Sequence, residues 1–299
     1  MAPGLRLQGP RCREEFSVRF HAVQLPLFRL SRYLIVSAGL LAMIFSTACG
    51  VSNSSFSQRP TPPTVADVAL ATAAGSTTPL VLLFVGTGTS SGDVTATKTI
   101  LSDLNLSYAT ATSSQLNGMS ESTLKTYKLF LMPGGNAITI SQNLSSTTKT
   151  NLRNAIVNDG LHYLGICAGA FFAGHSGVYS YLDLTPSGVW FNYYADEFKG
   201  IHKEAVEVKG ADGKTLDQYW EDGPQLSGWG SIVAKYPDGT PAVVESSSGK
   251  GWVILCAVHP EATASWRTGM TFTTSVATDN AYAETLVTDA LNGISLTHY

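Results

Sequence analysis

The sequence is poor in cysteine and in charged residues, and both shortages exclude classes of protein. Of 299 residues only four are cysteine and only 14% are charged. No two cysteines lie at CxxC spacing, which excludes the common zinc and redox motifs, and four cysteines in so long a chain do not make a dense disulfide framework. The 44% hydrophobic content excludes disorder along the whole chain.

Positive charge is also short in the body of the chain. Six of the 19 basic and two of the 22 acidic residues precede residue 50, which leaves 13 basic against 20 acidic residues. Binding to nucleic acid without sequence preference needs a basic surface. We therefore expect no nucleic-acid partner.

The first 49 residues have the layout of a signal peptide. Arg29 and Arg32 precede an apolar run at residues 33–45, which is shorter than the roughly 20 residues of a membrane-spanning helix. Small residues then lead to Cys49, which resembles the lipobox of bacterial lipoproteins, although Ser46 stands where that pattern usually has Leu. We expect acylation of Cys49, and hence a protein of the bacterial cell envelope attached to the membrane by its lipid. Secretion into the periplasm or medium and an uncleaved anchor are the alternatives.

The chain after Cys49 divides into a tether and a body. Residues 50–78 are rich in Ser, Thr and Pro and have few large apolar side chains, so they cannot bury enough surface to fold. We predict a disordered tether there. We predict one folded domain over residues 79–295.

The body alternates strand-like and helix-like segments. Apolar runs at residues 79–86, 128–132 and 163–166 are typical of strands buried on both faces of a parallel sheet. Helical patterns lie between them, and beyond about residue 189 the segments resemble hairpins, including the apolar run at residues 252–258. The prediction is an α/β domain with a mostly parallel, doubly wound, flavodoxin-like sheet and an antiparallel extension.

Cys167 lies between a predicted strand and a predicted helix, in the segment LGICAGA at residues 164–170. The small residues around it permit a tight, strained turn, which is the architecture of a nucleophile elbow. The start of a helix stabilises a thiolate, and the N–H of Ala168 is available to an oxyanion. A buried structural cysteine is the alternative.

Two further segments supply what a thiol nucleophile needs. His259 and Glu261 follow the apolar run at residues 252–258, and residues two apart at a strand end face the same side. Glu261 can therefore orient the ring of a base, His259, that deprotonates the thiol. Gly135 follows the run at 128–132, where two glycines let backbone amides approach an oxyanion; an ordinary tight turn is the alternative.

In chain order, MPGG, GICAGA and HPE resemble class I glutamine amidotransferase-like domains, most closely the N-terminal domain of biotin-protein ligase and bacterial proteins that carry this domain alone. The resemblance extends over most of the body. It implies that Cys167 is the nucleophile, His259 the base and Glu261 its orienter, with Gly135 and Ala168 as oxyanion-hole amides. The implied reaction is attack on an amide carbon of a small amide or peptide-like substrate, followed by hydrolysis of a thioester.

Other candidate sites are weaker. The glycine-rich loop at residues 86–92 matches no phosphate-binding motif, and His162, His175 and His202 have no partner at ligand spacing, so we expect no cofactor and no metal. The aromatic residues at 190–194 form either a pocket wall or packing within the smaller sheet. The predicted function is an envelope-located, thiol-dependent amide hydrolase of unknown substrate and unknown protein partner. A non-catalytic binding or scaffold domain and an envelope peptidase or amidase are the alternatives.

Overall fold

The structure is a computed structural model, and it describes residues 79–185, 188–194 and 202–299. The predicted signal peptide at 1–49, the lipidation site Cys49 and the predicted tether at 50–78 lie outside the described residues. No helix within the described ranges is long and apolar enough to cross a membrane.

Strands and helices alternate in the first half of the body, and strands dominate the second. The strands are β1 (Val81–Phe84), β2 (Tyr108–Ala111), β3 (Leu129–Met132), β4 (His162–Ile166), β5 (Asn192–Tyr193), β6 (Lys203–Gly210), β7 (Thr215–Glu221), β8 (Pro224–Gln225), β9 (Ser231–Lys235), β10 (Pro241–Ser248) and β11 (Gly251–Cys256). The helices are α1 (Ser91–Asp103), α2 (Ser113–Asn117), α3 (Glu121–Leu124), α4 (Ala137–Asn143), α5 (Ser146–Val157), α6 (Ala168–Ala173) and α7 (Val276–Asn292).

Nine of these strands form one sheet in the order β2-β1-β3-β4-β11-β10-β9-β6-β7. The strands from β2 to β11 in that order are parallel to one another. The remaining pairs, from β11–β10 to β6–β7, are antiparallel. The predicted fold class is confirmed: an α/β domain whose parallel sheet continues into an antiparallel extension.

One strand pairs differently from the prediction. We assigned residues 252–258 to the antiparallel extension, but β11 runs parallel to β4, with Cys256 opposite Ile166, and antiparallel to β10. Nearly all of β11 is buried, as is usual for a parallel strand covered on both faces. The carboxyl ends of β3, β4 and β11 therefore meet at one edge of the sheet, where α/β proteins place their sites.

The longer helices begin at side-chain caps that the sequence supplies. Ser90, Ser145 and Ser275 accept hydrogen bonds from the first turns of α1, α5 and α7, and α7 ends at Gly293 in the left-handed conformation. The apolar face of α7 is buried; its members are Ala283, Val287, Ala290 and Leu291. The cap at Ser90 fixes where α1 starts, and the first turn of α1 lies beside the carboxyl ends of the strands.

Candidate active site

Cys167 occupies a strained turn between β4 and α6. Its backbone has φ 47° and ψ −103°, which a non-glycine residue adopts only under constraint. Its N–H donates to the carbonyl of Cys256 at 2.8 Å, and its Sγ donates to the carbonyl of Glu221 at 3.7 Å. The thiol lines a large cavity, although the residue as a whole is only 5% exposed.

Two glycines flanking Cys167 make this turn possible. A Cβ on Gly165 would lie 2.6 Å from the backbone of Gly169, and a Cβ on Gly169 would overlap the carbonyl of Met132 on β3. The hydroxyl of Tyr163 donates to the carbonyl of Gly169 at 2.7 Å, which ties the start of α6 to β4. The strain at Cys167 is therefore maintained by close backbone packing on both sides of it.

His259 follows β11 and is held on several sides. Its N–H donates to the carbonyl of Tyr219 at 2.8 Å, and the rings of Tyr219 and Trp266 pack around its imidazole at centroid distances of 5.7 Å each. Its Nδ1 lies 3.0 Å from Glu261 Oε1 in a hydrogen bond. Because Nδ1 is occupied, Nε2 is the nitrogen available to the cavity that Cys167 also lines.

A second carboxylate, which the sequence analysis did not identify as a site residue, lies beside the same nitrogen. Asp93, in the first turn of α1, places Oδ1 3.1 Å from Nδ1 of His259 and is buried. The single Nδ1 proton is aligned with Glu261, so Asp93 Oδ1 is a charge neighbour without a hydrogen bond of its own. An acid in the first turn of a helix is ordinarily explained by capping and the helix dipole, which is why its sequence context did not mark it.

Gly134 lets Asp93 approach the ring. A Cβ at Gly134 would overlap Asp93 Oδ1 and would lie 2.7 Å from Cε1 of His259. The MPGG segment therefore has a role beyond the predicted one, because its first glycine makes room for the carboxylate and the imidazole to meet.

The two predicted oxyanion donors lie at the edge of the cavity. Gly135 has φ 141° and forms an antiparallel bridge with Thr89, whose flanking bonds run from Ser90 N–H to Gly134 and from Asn136 N–H to Gly88. In such a non-hydrogen-bonded pair the N–H of Gly135 itself points away from the partner segment. Ala168 is the first residue of α6, so its N–H has no partner within the helix. Both residues line the cavity with Cys167.

The charges around His259 are coupled. Burial acts to lower the pKa of His259, but the charges of Asp93, Cys167 and Glu261 outweigh it and hold that pKa well above its usual value. Burial raises the pKa of Glu261. Burial acts in the same direction on Asp93, but the charge of His259 and hydrogen bonding to the carboxylate together outweigh it and lower the pKa of Asp93. Asp93 is therefore the carboxylate that stays ionised most readily in this set.

The cavity has a volume of about 1050 Å³, and residues from both the parallel and the antiparallel half of the domain line it. Of the aromatic cluster at residues 190–194, Trp190, Phe191 and Tyr193 line it, whereas Tyr194 stacks on Tyr236 with centroids 3.8 Å apart. Both predicted alternatives for this cluster thus apply, to different members. The glycine-rich loop at residues 86–92 contributes Ser90 and Gly92 to the same cavity edge.

The three groups at the imidazole are also a possible set of metal ligands. One atom from each of Asp93, His259 and Glu261 lies within 4.8 Å of the others. Two carboxylates and an imidazole are donors that divalent transition metals accept. The expectation of no metal considered His162, His175 and His202, and it stays a prediction.

A family model supports the resemblance seen in the motifs. Residues 80–183 match the family described as Biotin-protein ligase, N terminal. The predicted resemblance to the N-terminal domain of biotin-protein ligase is confirmed over this range. The matched range includes Asp93, Gly135 and Cys167 and ends before His259 and Glu261.

Several solved structures are similar at low identity. A glutamine amidotransferase is 18% identical over 61% of this chain and 90% of its own, with a TM-score of 0.47. A putative GMP synthase subunit from Thermoplasma acidophilum is 14% identical over 70% of this chain and 94% of its own, with a TM-score of 0.45. An exo-beta-1,4-mannosidase from Opitutaceae bacterium strain TAV5 is 14% identical over 70% of this chain and 36% of its own, with a TM-score of 0.45. No curated protein matches the sequence significantly.

Proposed function

We propose that the body of the chain is a thiol-dependent amide hydrolase, with Cys167 as nucleophile and His259 as general base. The observation that carries the proposal is the strained turn at Cys167, which places a thiol in the same cavity as an imidazole whose Nδ1 is already occupied by a carboxylate. A thiol nucleophile needs a base that is itself oriented by a third group, and these residues supply all three roles.

The reaction follows from the atoms available. Nε2 of His259 takes the proton from Cys167, and the thiolate attacks the amide carbon to form a C–S bond. The N–H groups of Gly135 and Ala168 stabilise the negative oxygen that develops there. The imidazolium returns its proton to the nitrogen, the C–N bond breaks, and an amine or ammonia leaves. Water, deprotonated by His259, then cleaves the thioester to a carboxylate and the free thiol.

Glu261 and Asp93 act through His259 as positioning residues. The hydrogen bond from Nδ1 to Glu261 fixes the ring and its tautomer. The ionised Asp93 stabilises the imidazolium that forms when the thiol loses its proton. Neither carboxylate needs to contact the substrate.

The test compares two cysteine variants of the full chain. Ammonia or amine release is measured from L-glutamine and from glutamine peptides blocked at the amino group. Cys167→Ser should lower the rate by about a thousandfold or more, because the nucleophile is lost. Cys256→Ser, which removes the other thiol of the described residues, should keep the rate of the unmodified chain. Hydrolysis that survives in Cys167→Ser would refute the assignment.

A non-catalytic binding domain is the second candidate. The observation that favours it is the hydrogen bond from Sγ of Cys167 to the carbonyl of Glu221, since the thiol then donates to a backbone group and not to the imidazole. This candidate predicts that Cys167→Ser binds any ligand as tightly as the unmodified chain and that neither protein hydrolyses it. Accelerated reaction of Cys167 with iodoacetamide would argue against it.

We also propose that the protein is held in the bacterial cell envelope by a lipid on Cys49. The support is the order of positive residues, a short apolar run and small residues before Cys49. The mature protein should then begin at Cys49 and carry the mass of its acyl chains, and globomycin should block this processing. A mature chain that begins elsewhere with no added mass would favour simple secretion.

A further inference from the structure

Six aromatic side chains line the active-site cavity that contains Cys167, and together they are called the aromatic wall. They are Phe171, Tyr179, Tyr181, Trp190, Tyr193 and Trp266. Trp190 is 47% exposed and Tyr193 44% exposed, so both present large faces to solvent. Large aromatic side chains left exposed beside a reactive group are typical of a ligand contact surface.

The wall is internally braced. The rings of Phe171 and Tyr193 meet edge to face with centroids 4.9 Å apart, and those of Tyr179 and Tyr181 stack at 6.3 Å. These four rings therefore support one another in the absence of a ligand. Such a prearranged surface binds a flat or ring-shaped group without paying the cost of ordering many flexible side chains.

The charges lining the cavity disfavour an anionic ligand. Asp93, Glu221 and Asp222 contribute three carboxyl groups. Each basic side chain that the described residues place in the lining already faces a carboxylate: Lys203 with Glu221 at 3.7 Å, His175 with Asp183 at 2.8 Å, and His259 with Glu261 at 3.0 Å. A free amino acid such as glutamine carries a carboxylate that would have to compete with these pairs.

The cavity is also large for a free amino acid. Its volume of about 1050 Å³ is slightly above that of pockets that enclose drug-sized ligands, which are roughly 300–1,000 Å³. L-glutamine is much smaller than such ligands and would leave the aromatic wall uncovered.

We propose that the substrate is an amide with a ring-bearing extension that is neutral or positively charged, rather than free L-glutamine. This inference rests on the proposed function. The reacting amide lies at Cys167, and the extension covers the aromatic wall around Trp190 and Tyr193. A blocked or peptide-borne carboxamide has this chemistry.

The test measures binding in the Cys167→Ser full chain, so that hydrolysis does not enter. Isothermal titration compares benzyloxycarbonyl-L-glutamine amide, acetyl-L-glutamine amide, benzyloxycarbonyl-L-glutamine and L-glutamine. The first probe should bind about three- to tenfold more tightly than the second, which lacks the ring. It should also bind more tightly than the third, which carries a carboxylate, and than L-glutamine.

Aromatic variants in the same background locate the effect. Trp190→Ala and Tyr193→Ala should each reduce the advantage of the benzyloxycarbonyl ring. Tyr299→Ala is the matched control, since Tyr299 is similarly exposed but lies outside the cavity lining, and it should keep that advantage.

The outcomes separate the two proposals. Equal binding of the ringed and ringless amides, tighter binding of L-glutamine, or no binding of any probe would overturn the inference on the substrate. If the ringed amide binds preferentially but the unmodified chain hydrolyses no amide, the substrate-class inference survives as a ligand class and the hydrolase proposal fails.

Discussion

Cys167 and Cys256 lie close together at the ends of two neighbouring parallel strands, yet the structure places them in opposite environments. The N–H of Cys167 donates to the carbonyl of Cys256 at 2.8 Å. Cys256 ends β11 in regular extended structure, is fully buried and donates its thiol to the carbonyl of Val258. Cys167 is one residue beyond the end of β4, where a positive φ turns its side chain to the cavity. The local backbone, rather than the residue type or its neighbourhood, decides which thiol meets solvent.

The largest expected difference is in the alkylation rates of these two thiols. Burial raises the pKa of Cys256 to about 12, so its thiolate fraction near neutral pH is about a thousandfold below that of a free thiol with pKa about 8.5. Cys167 lines the cavity whereas Cys256 is fully buried, so Cys167 should react with iodoacetamide at least several hundredfold faster, as measured by mass spectrometry of the modified peptides over time. Similar slow rates at both positions would remove the contrast and favour the non-catalytic domain.

Disturbing the turn at Cys167 should reduce the difference in alkylation rate between Cys167 and Cys256. In Gly169→Ala the added methyl group overlaps the Met132 carbonyl, so the free energy of unfolding should fall by about 1–3 kcal/mol. The preferential alkylation of Cys167 should fall as well, because α6 must shift. Urea unfolding measures the free energy of unfolding, and labelling with iodoacetamide measures the alkylation rate of Cys167. Gly177→Ala is the control, since no atom lies within 4 Å of its added methyl group, and it should change stability by less than about 0.5 kcal/mol. Equal effects of both substitutions would contradict this account.

Removing the carboxylate of Asp93 should change both the pKa of His259 and the rate of hydrolysis. Asp93→Asn deletes the charge 3.1 Å from Nδ1, so the pKa of His259 should fall and hydrolysis should slow by about ten- to a hundredfold. Asp103→Asn, on the exposed last turn of the same helix, is the control and should change neither quantity. NMR titration of the imidazole gives the pKa directly.

Asp93→Asn should also change how the free energy of unfolding depends on pH. The raised pKa of His259 contributes stability that is complete below its unfolded value of about 6.5 and is lost as pH rises through the folded value. The lowered pKa of Asp93 contributes stability present above its unfolded value of 3.8 and lost as pH falls through the folded value. The stability difference between the unmodified chain and Asp93→Asn should be greatest from about pH 4 to 6.5. A difference independent of pH would show that the pair does not exist.

Chelation should have the smallest effect. If the charge of the imidazolium is balanced by the two carboxylates and no metal is bound, EDTA should leave the alkylation rate of Cys167 and its pH profile unchanged within about twofold. If EDTA changes the alkylation rate of Cys167 and added Zn²⁺ or Mn²⁺ reverses that change, Asp93, His259 and Glu261 are instead metal ligands.

Much of the fold was predictable because the signals are local. The buried runs that became β1, β3 and β4 and the apolar face of α7 are legible as hydrophobic patterns. The short helices α2, α3 and α4 were missed, since seven residues or fewer make too few turns for a periodic pattern to emerge. The pairing of β11 was missed because strand direction depends on partners distant in sequence.

Local sequence is enough to predict the alternation of strands and helices, the tight turn at Cys167, and the spacing that lets Glu261 reach His259, because each depends on residues close together along the chain. The folded chain alone shows that β11 lies parallel beside β4, that Asp93 lies beside the imidazole, and that the aromatic wall lines the same cavity as the thiol. These juxtapositions arise from the packing of segments far apart in sequence, and no local propensity encodes them.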